Sequence, residues 1–313
     1  MDFDWDCIVV GAGPAGLSAA LMLGRARRRV LVLDSGKPRN FAAHAMHGVL
    51  GHDGLDPAAL RARGAEELSR YGIEVRGAEV ERARPIDGGV ELDGETARTL
   101  ILATGLLDVT PAIDGFDAIY GTSAHTCPYC DGWEHRDERI AVLATVAGFA
   151  VHLGRLLRQW SGDVAVLTDG GPGVDAADEE SLAAIGVPVV REPVTRFVER
   201  DGRLTAIELA GRSPLERDAL FFNAGFEPRT VLAAGLGCAL DERGFVIAAE
   251  DRQTSVDRVY AAGNCADPML NVPLSIADGM RAALAVNVRL VEEGVLQPAA
   301  AAARPAELVR TPR

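Results

Sequence analysis

Residues 6–16 run Asp6-Cys7-Ile8-Val9-Val10-Gly11-Ala12-Gly13-Pro14-Ala15-Gly16. The apolar run ending at Val10 reads as a buried strand, and Leu17 to Leu23 as a helix ended near Gly24. The G-x-G-x-x-G between them is a weak signal alone, because glycine-rich turns are common. Here Val30 to Leu33 supplies a second strand and Asp34 closes it, so an acid follows about 20 residues on, the context that dinucleotide binding requires. Gly11, Gly13 and Gly16 let the backbone approach a pyrophosphate, with Pro14 and Ala15 in the same turn, and the free N–H groups of a helix start favour an anion. Asp34 is placed to take ribose hydroxyls. A ligand-free turn is the bland alternative, and the context weighs against it.

A helix is expected from about Pro57 to Tyr71, with Asp56 as N-cap and Gly72 past its end. Ile73 to Arg76 reads as a strand. Turns at Asp87-Gly88-Gly89 and Asp93-Gly94 punctuate a β-meander that ends in Thr99 to Gly105. The plan then recurs: a strand at Arg139 to Leu143, a helix at Gly148 to Trp160, a strand at Asp163 to Asp169 and a helix at about Asp175 to Ile185. A hairpin turns at Asp201-Gly202, and Asp218 to Gly225 mirrors the Leu100 to Gly105 ending. Val259 to Asn264 and a helix from about Ser275 to Glu293 close the pattern. The chain reads as α/β, two Rossmann-like nucleotide-binding domains with the second inserted in the first. The expected limits are 1–113 with 241–297 for the first domain, 114–240 for the second, and 298–313 for a loose tail.

A chain of 313 residues, 48% hydrophobic and 25% charged, suits two soluble domains. A net charge of −13 argues against nucleic acid. The longest apolar run, Ile140 to Val151, is broken by Thr145 and Gly148 and falls short of the roughly 18 residues of a membrane span. The acidic N-terminus lacks a signal-peptide pattern, and five scattered cysteines make no secreted framework, so a cytoplasmic protein is expected. Cys7, Cys238 and Cys265 read as buried core thiols.

Residues 127–134, Cys127-Pro128-Tyr129-Cys130-Asp131-Gly132-Trp133-Glu134, carry the chemistry. Structural zinc wants about four ligands, usually as two close pairs. Cys238 and Cys265 are distant singles and the His44-x-x-His47 pair is isolated, so no metal is expected. A close cysteine pair in a reducing compartment is then a working dithiol, reactive as thiolate. Asp131 is the candidate general acid or base. Tyr129 and Trp133 read equally as a stacking surface or as packing.

Taken in order, Gly11 to Gly16, Ala103-Thr104-Gly105, Cys127 to Gly132, Gly225 to Pro228 and Ala261 to Asn264 resemble the thioredoxin reductase-like flavoproteins of low molecular weight, over nearly the whole chain. The resemblance implies a split FAD domain and an inserted pyridine-nucleotide domain bearing the Cys-x-x-Cys. It implies FAD held by Gly11, Gly13, Pro14, Ala15, Gly16 and Asp34, with Ala103, Thr104, Gly105, Gly263, Asn264, Asn271 and Val272 completing the site. Asn264 stands where the family usually has Asp facing the ribityl chain, and Asn271 where it often has Gln against the flavin. By the same likeness Cys130 lies against the flavin, and Cys127 exchanges with a substrate through a mixed disulfide. A homodimer is expected on that ground also.

The inserted domain should carry its own glycine fingerprint after Leu143. It reads Ala144-Thr145-Val146-Ala147-Gly148-Phe149, with Ala144 and Val146 in place of glycines and Phe149 in place of a small residue. A slip in alignment would retain Gly148, and one glycine does not restore the motif. Thr168-Asp169-Gly170 stands where NADPH-using relatives commonly present His-Arg-Arg, and Asp169 repels a 2′-phosphate. These features leave NADPH doubtful. Asp34 to Asn40, His44 to Gly54 and Cys127 to Glu134 look more like the FAD-dependent dithiol oxidases of the gliotoxin and holomycin kind, which close small-molecule disulfides and pass electrons to oxygen. Three alternatives stay open: an NADPH-dependent reductase of a thioredoxin-like protein, a ferredoxin-dependent one, and a flavin-bound redox sensor.

Overall fold

The computed structural model describes residues 2–144, 147–171 and 173–296. Thr145, Val146 and the expected tail at 298–313 lie outside the described residues. The glycine turn joins β1 (Trp5–Val10) to α1 (Pro14–Arg25). The helix starts at Pro14, ahead of the apolar run at Leu17, because a proline in the first turn forfeits no helical hydrogen bond. β2 (Val30–Asp34), α2 (Pro57–Ser69), β3 (Glu74–Gly77), β4 (Ala83–Ile86), β5 (Gly89–Leu92) and β6 (Glu95–Leu102) follow. Asp56 caps α2 as expected, accepting from the Ala58 N–H at 2.6 Å. The sheet order is β3-β2-β1-β6-β5-β4, parallel from β3 to β6 and antiparallel across the meander. β1 is buried on both faces. Cys7 and Val9 join the core that α1 covers, while Ile8 and Val10 join a second core on the opposite side.

β7 (Leu106–Asp108) leads the chain into a second sheet. Its elements are α3 (Phe116–Ile119), β8 (Ala124–His125), α4 (Pro128–Asp131), β9 (Arg139–Ala144), α5 (Ala147–Leu157), β10 (Asp163–Leu167), α6 (Ala176–Ala183) and β11 (Val189–Val190). The antiparallel strands β12 (Val194–Arg200), β13 (Arg203–Leu209) and β14 (Arg212–Glu216) precede β15 (Ala219–Asn223). The second sheet is parallel, in the order β11-β10-β9-β15-β8. β16 (Phe226–Pro228) then pairs antiparallel with β7 and brings the chain back. After α7 (Val231–Leu236), β17 (Val259–Ala261) rejoins the first sheet beside β6, with Ala261 opposite Leu102. The fold is therefore α/β with two Rossmann-like units, the second inserted in the first.

α8 (Val272–Glu292) starts three residues before the expected Ser275. Asn271 is its N-cap, accepting from the Leu274 N–H at 3.2 Å, and Pro273 sits in the first turn. α8 crosses α1 at backbone contact, since a Cβ on Gly279 would lie 1.9 Å from the Ala15 carbonyl oxygen.

Candidate redox site

The end of β1 and the start of α1 form one end of a cavity of about 880 Å³. No side chain caps α1, so its first-turn N–H groups are left to a ligand. Gly11 has a φ of +107°, and a Cβ there would lie 2.3 Å from the Ala103 carbonyl oxygen. Asp34 closes β2 at the same end, accepting from the Ala12 N–H at 2.8 Å and the Gly36 N–H at 3.0 Å. Each carboxylate oxygen keeps a further lone pair for a hydroxyl. Gly13, Pro14, Ala15, Ala103, Thr104, Gly105, Gly263, Asn264, Asn271 and Val272 line the same cavity. Gly16 does not; it is buried behind the turn, where a Cβ would lie 1.8 Å from the Gly11 carbonyl oxygen.

Asn264 and Asn271 face the cavity, and Asn264 has both its polar groups engaged. The Asn264 amide donates to the Asp267 carbonyl at 2.8 Å and the Leu270 carbonyl at 3.0 Å, while its oxygen accepts from Arg39 at 3.2 Å. Arg39 also pairs with the buried Asp108 of β7, with contacts of 2.9 and 2.7 Å, and donates to the Pro268 carbonyl at 3.1 Å. It thereby ties the loop after β2 to the crossing between the two sheets. Sequence reasoning missed this role, because residues 39, 108 and 264 meet only in the fold.

Cys127 and Cys130 are disulfide-bonded, with Cα atoms 5.3 Å apart, and both line the other end of the cavity. Pro128 opens α4 with Cys127 at its N-cap position, and both Cys130 and Asp131 donate their N–H groups back to the Cys127 carbonyl at 3.1 Å. Asp131 also lines the cavity. Behind it stand residues that the sequence reading did not select. His125 Nδ1 lies 3.3 Å from Asp131 Oδ1, His125 Nε2 lies 2.9 Å from His135 Nε2, and His135 Nδ1 lies 2.6 Å from Glu138 Oε2. Burial pushes the His135 imidazole below the ordinary histidine range, opposed by its bond to Glu138. His125, two residues before Cys127, was a visible signal; His135 and Glu138 were not. His47 bridges Asp53 at 3.6 Å and Glu134 at 3.5 Å. Tyr129 is 72% exposed with an edge contact to Trp160, and Trp133 is 64% exposed under the Arg136 guanidinium, so neither is core packing. Cys7, Cys238 and Cys265 are free and buried; desolvation pushes the Cys7 thiol up to about 12.

The second unit differs where α5 follows β9. Counted from the helix start, Ala144 and Phe149 hold the places of Gly11 and Gly16. Ala144 is buried, and Gly148 is an exposed helical residue with nothing near a Cβ added there. Asp169, at the end of β10, accepts from the Val194 N–H at 2.7 Å. Phe149, His152, Leu153 and Leu156 of α5 line the cavity that holds the dithiol.

A dinucleotide cradle and a redox disulfide opening on one cavity define a flavin-dependent disulfide oxidoreductase of the thioredoxin reductase-like class. The chain belongs to the pyridine nucleotide-disulphide oxidoreductase family, whose description matches residues 5–287. It is 32% identical to thioredoxin reductase sirT of Leptosphaeria maculans, over 90% of this chain and 93% of that one. Its structure is similar to that of HlmI, with 39% identity, a TM-score of 0.87, and 93% and 94% of the two chains covered. It is also similar to the putative thioredoxin reductase TrxB of Bacillus anthracis, at 28% identity and a TM-score of 0.87, covering 93% and 99%. The family implies FAD, and the uncapped α1, the close-packed Gly11 and the Asp34 carboxylate fit its adenosine diphosphate end.

Proposed function

We propose that the protein oxidises a small-molecule dithiol to its disulfide, with oxygen as the final acceptor and without NADPH. The observation that carries this reading is Phe149, two residues past the start of α5. Counted from the helix start, it occupies the place that packs as Gly16 in the first unit. The exclusion of NADPH is supported further by the absence of a basic cluster for its 2′-phosphate at Thr168-Asp169-Gly170. α5 instead lends apolar side chains to the dithiol cavity, which favours a small organic substrate.

A substrate thiolate attacks Cys127 Sγ, breaking the S–S bond and releasing the Cys130 thiolate. The second substrate thiolate then attacks the substrate sulfur of the mixed disulfide, so the substrate leaves oxidised and both cysteines are left reduced. Asp131 takes up a thiol proton as each thiolate forms. When bound, FAD would supply the two-electron acceptor for re-forming the Cys127–Cys130 disulfide, with oxygen as the terminal oxidant.

We place the domain limits at 113/114, 240/241 and 297/298, and the protein in the cytoplasm. Two copies pair through the exposed apolar stripe Met280, Leu284, Val288 and Val291 of α8. Anaerobic titration of the flavin absorbance near 450 nm tests the reaction. A small dithiol bleaches it, NADPH and NADH do not, and air restores the colour with release of hydrogen peroxide. Rapid stoichiometric bleaching by NADPH would sink the reading in favour of the reductase.

A further inference from the structure

His125 lines the dithiol cavity, His135 is buried beyond it, and neither takes part in the sulfur exchange. Their rings are 4.8 Å apart between centroids, and Phe221 of β15 covers both, at 5.8 and 6.2 Å. The charged groups facing the pair are Asp131 at the end of α4, Glu138 before β9, and Arg203 of β13, 3.4 Å from Glu138. His135 is 3% exposed, whereas the Glu138 side chain is 29% exposed and Arg203 57%. The series therefore begins in the substrate cavity and ends at solvent.

Resting on the dithiol chemistry above, we infer that Asp131, His125, His135 and Glu138 form a proton wire that carries a thiol proton of the substrate from the cavity to solvent. Three contacts in series each need one proton, and two neutral imidazoles bring two. The third is the proton taken from the substrate. With it on Asp131, His125 donates from Nε2 and His135 from Nδ1. Each proton then moves one contact along. The Asp131 O–H and the His125 Nε2–H and His135 Nδ1–H bonds break, and His125 Nδ1–H, His135 Nε2–H and Glu138 O–H bonds form. Asp131 ends ionised, Glu138 ends protonated, and both imidazoles end neutral. No positive charge is stranded on the buried His135 ring, which is the state that burial disfavours. Glu138 releases the proton to water. His135 and Glu138 are positioning residues of the reaction, acting through Asp131 and His125.

The test is anaerobic stopped-flow reduction of the flavin by dithiothreitol in wild type, Glu138→Gln and His135→Gln. Each variant should be slowed at least about ten-fold, with an enlarged solvent isotope effect. Added imidazole buffer should recover the rate in the variants and leave wild type unchanged. Melting temperature and flavin spectrum should match wild type for Glu138→Gln. Wild-type rates in both variants, or a slowing that no buffer relieves, would overturn the wire. If dithiothreitol fails to reduce wild-type flavin, the proposed function fails instead, and nitrogen-15 histidine resonances then read the wire directly. Coupled titration of the two imidazoles, lost in Glu138→Gln, upholds it; independent titration refutes it.

Discussion

Gly16 lines no wall of the cavity, yet a Cβ there would sit 1.8 Å from the Gly11 carbonyl oxygen. The third glycine of the motif thus acts by packing, holding the turn that leads into the uncapped start of α1. Gly16→Ala is expected to cost about 1–3 kcal/mol through overpacking and to strip flavin from the purified protein. Flavin-to-protein absorbance ratio and thermal melting check both effects. The glycines and the cysteine pair were legible because each does its work within a few residues of chain. Asn264 and Asn271 were legible as positions but not as contacts, since one braces the loop to Leu270 and the other caps α8. Those bonds depend on where the backbone turns after β17.

Element ends follow the same division. Asp56 was readable as a cap because cap and helix start adjoin. The starts of α1 and α8 lay earlier than their apolar runs suggested, because a proline in the first turn extends a helix without adding to its buried stripe. The join of β9 and β15 carries a prediction at this scale. Arg139 donates to Asp218 at 2.8 and 2.7 Å, and that bond, the largest cause, holds the Asp218 carboxyl below the usual aspartate range. A carboxylate depressed by folding contributes stability that is fully present above its unfolded pKa and lost as pH falls through its folded value. Wild type should therefore lose part of its stability below about pH 4, and Asp218→Asn should show a shallower acid limb in melting temperature from pH 5 to 2. At neutral pH the substitution should cost no more than about 1 kcal/mol, because the two side chains are 37% and 33% exposed and water screens the pair.

In the whole molecule, the apolar stripe of α8 faces away from the α1 contact. Leu284 is 50% exposed and Val288 54%, while Ala282, Ala283 and Val286 of the same helix are fully buried. Leu284→Glu should convert a paired species into one of 33.0 kDa by sedimentation, with flavin retained. An unchanged mass would remove α8 from the interface. The sequence by itself determined the two Rossmann-like units, their nesting, the glycine turn and the close cysteine pair. Each of these is written in glycine spacing, strand-length apolar runs or a four-residue motif, where neighbours in chain are neighbours in space. Only the tertiary structure decided that α5 walls the dithiol cavity, that Arg39 ties a loop to the sheet crossing through Asp108, and that His125, His135 and Glu138 form a series behind Asp131. Those groups lie on separate strands, turns and loops, and no local periodicity records a contact that exists only once the chain has closed.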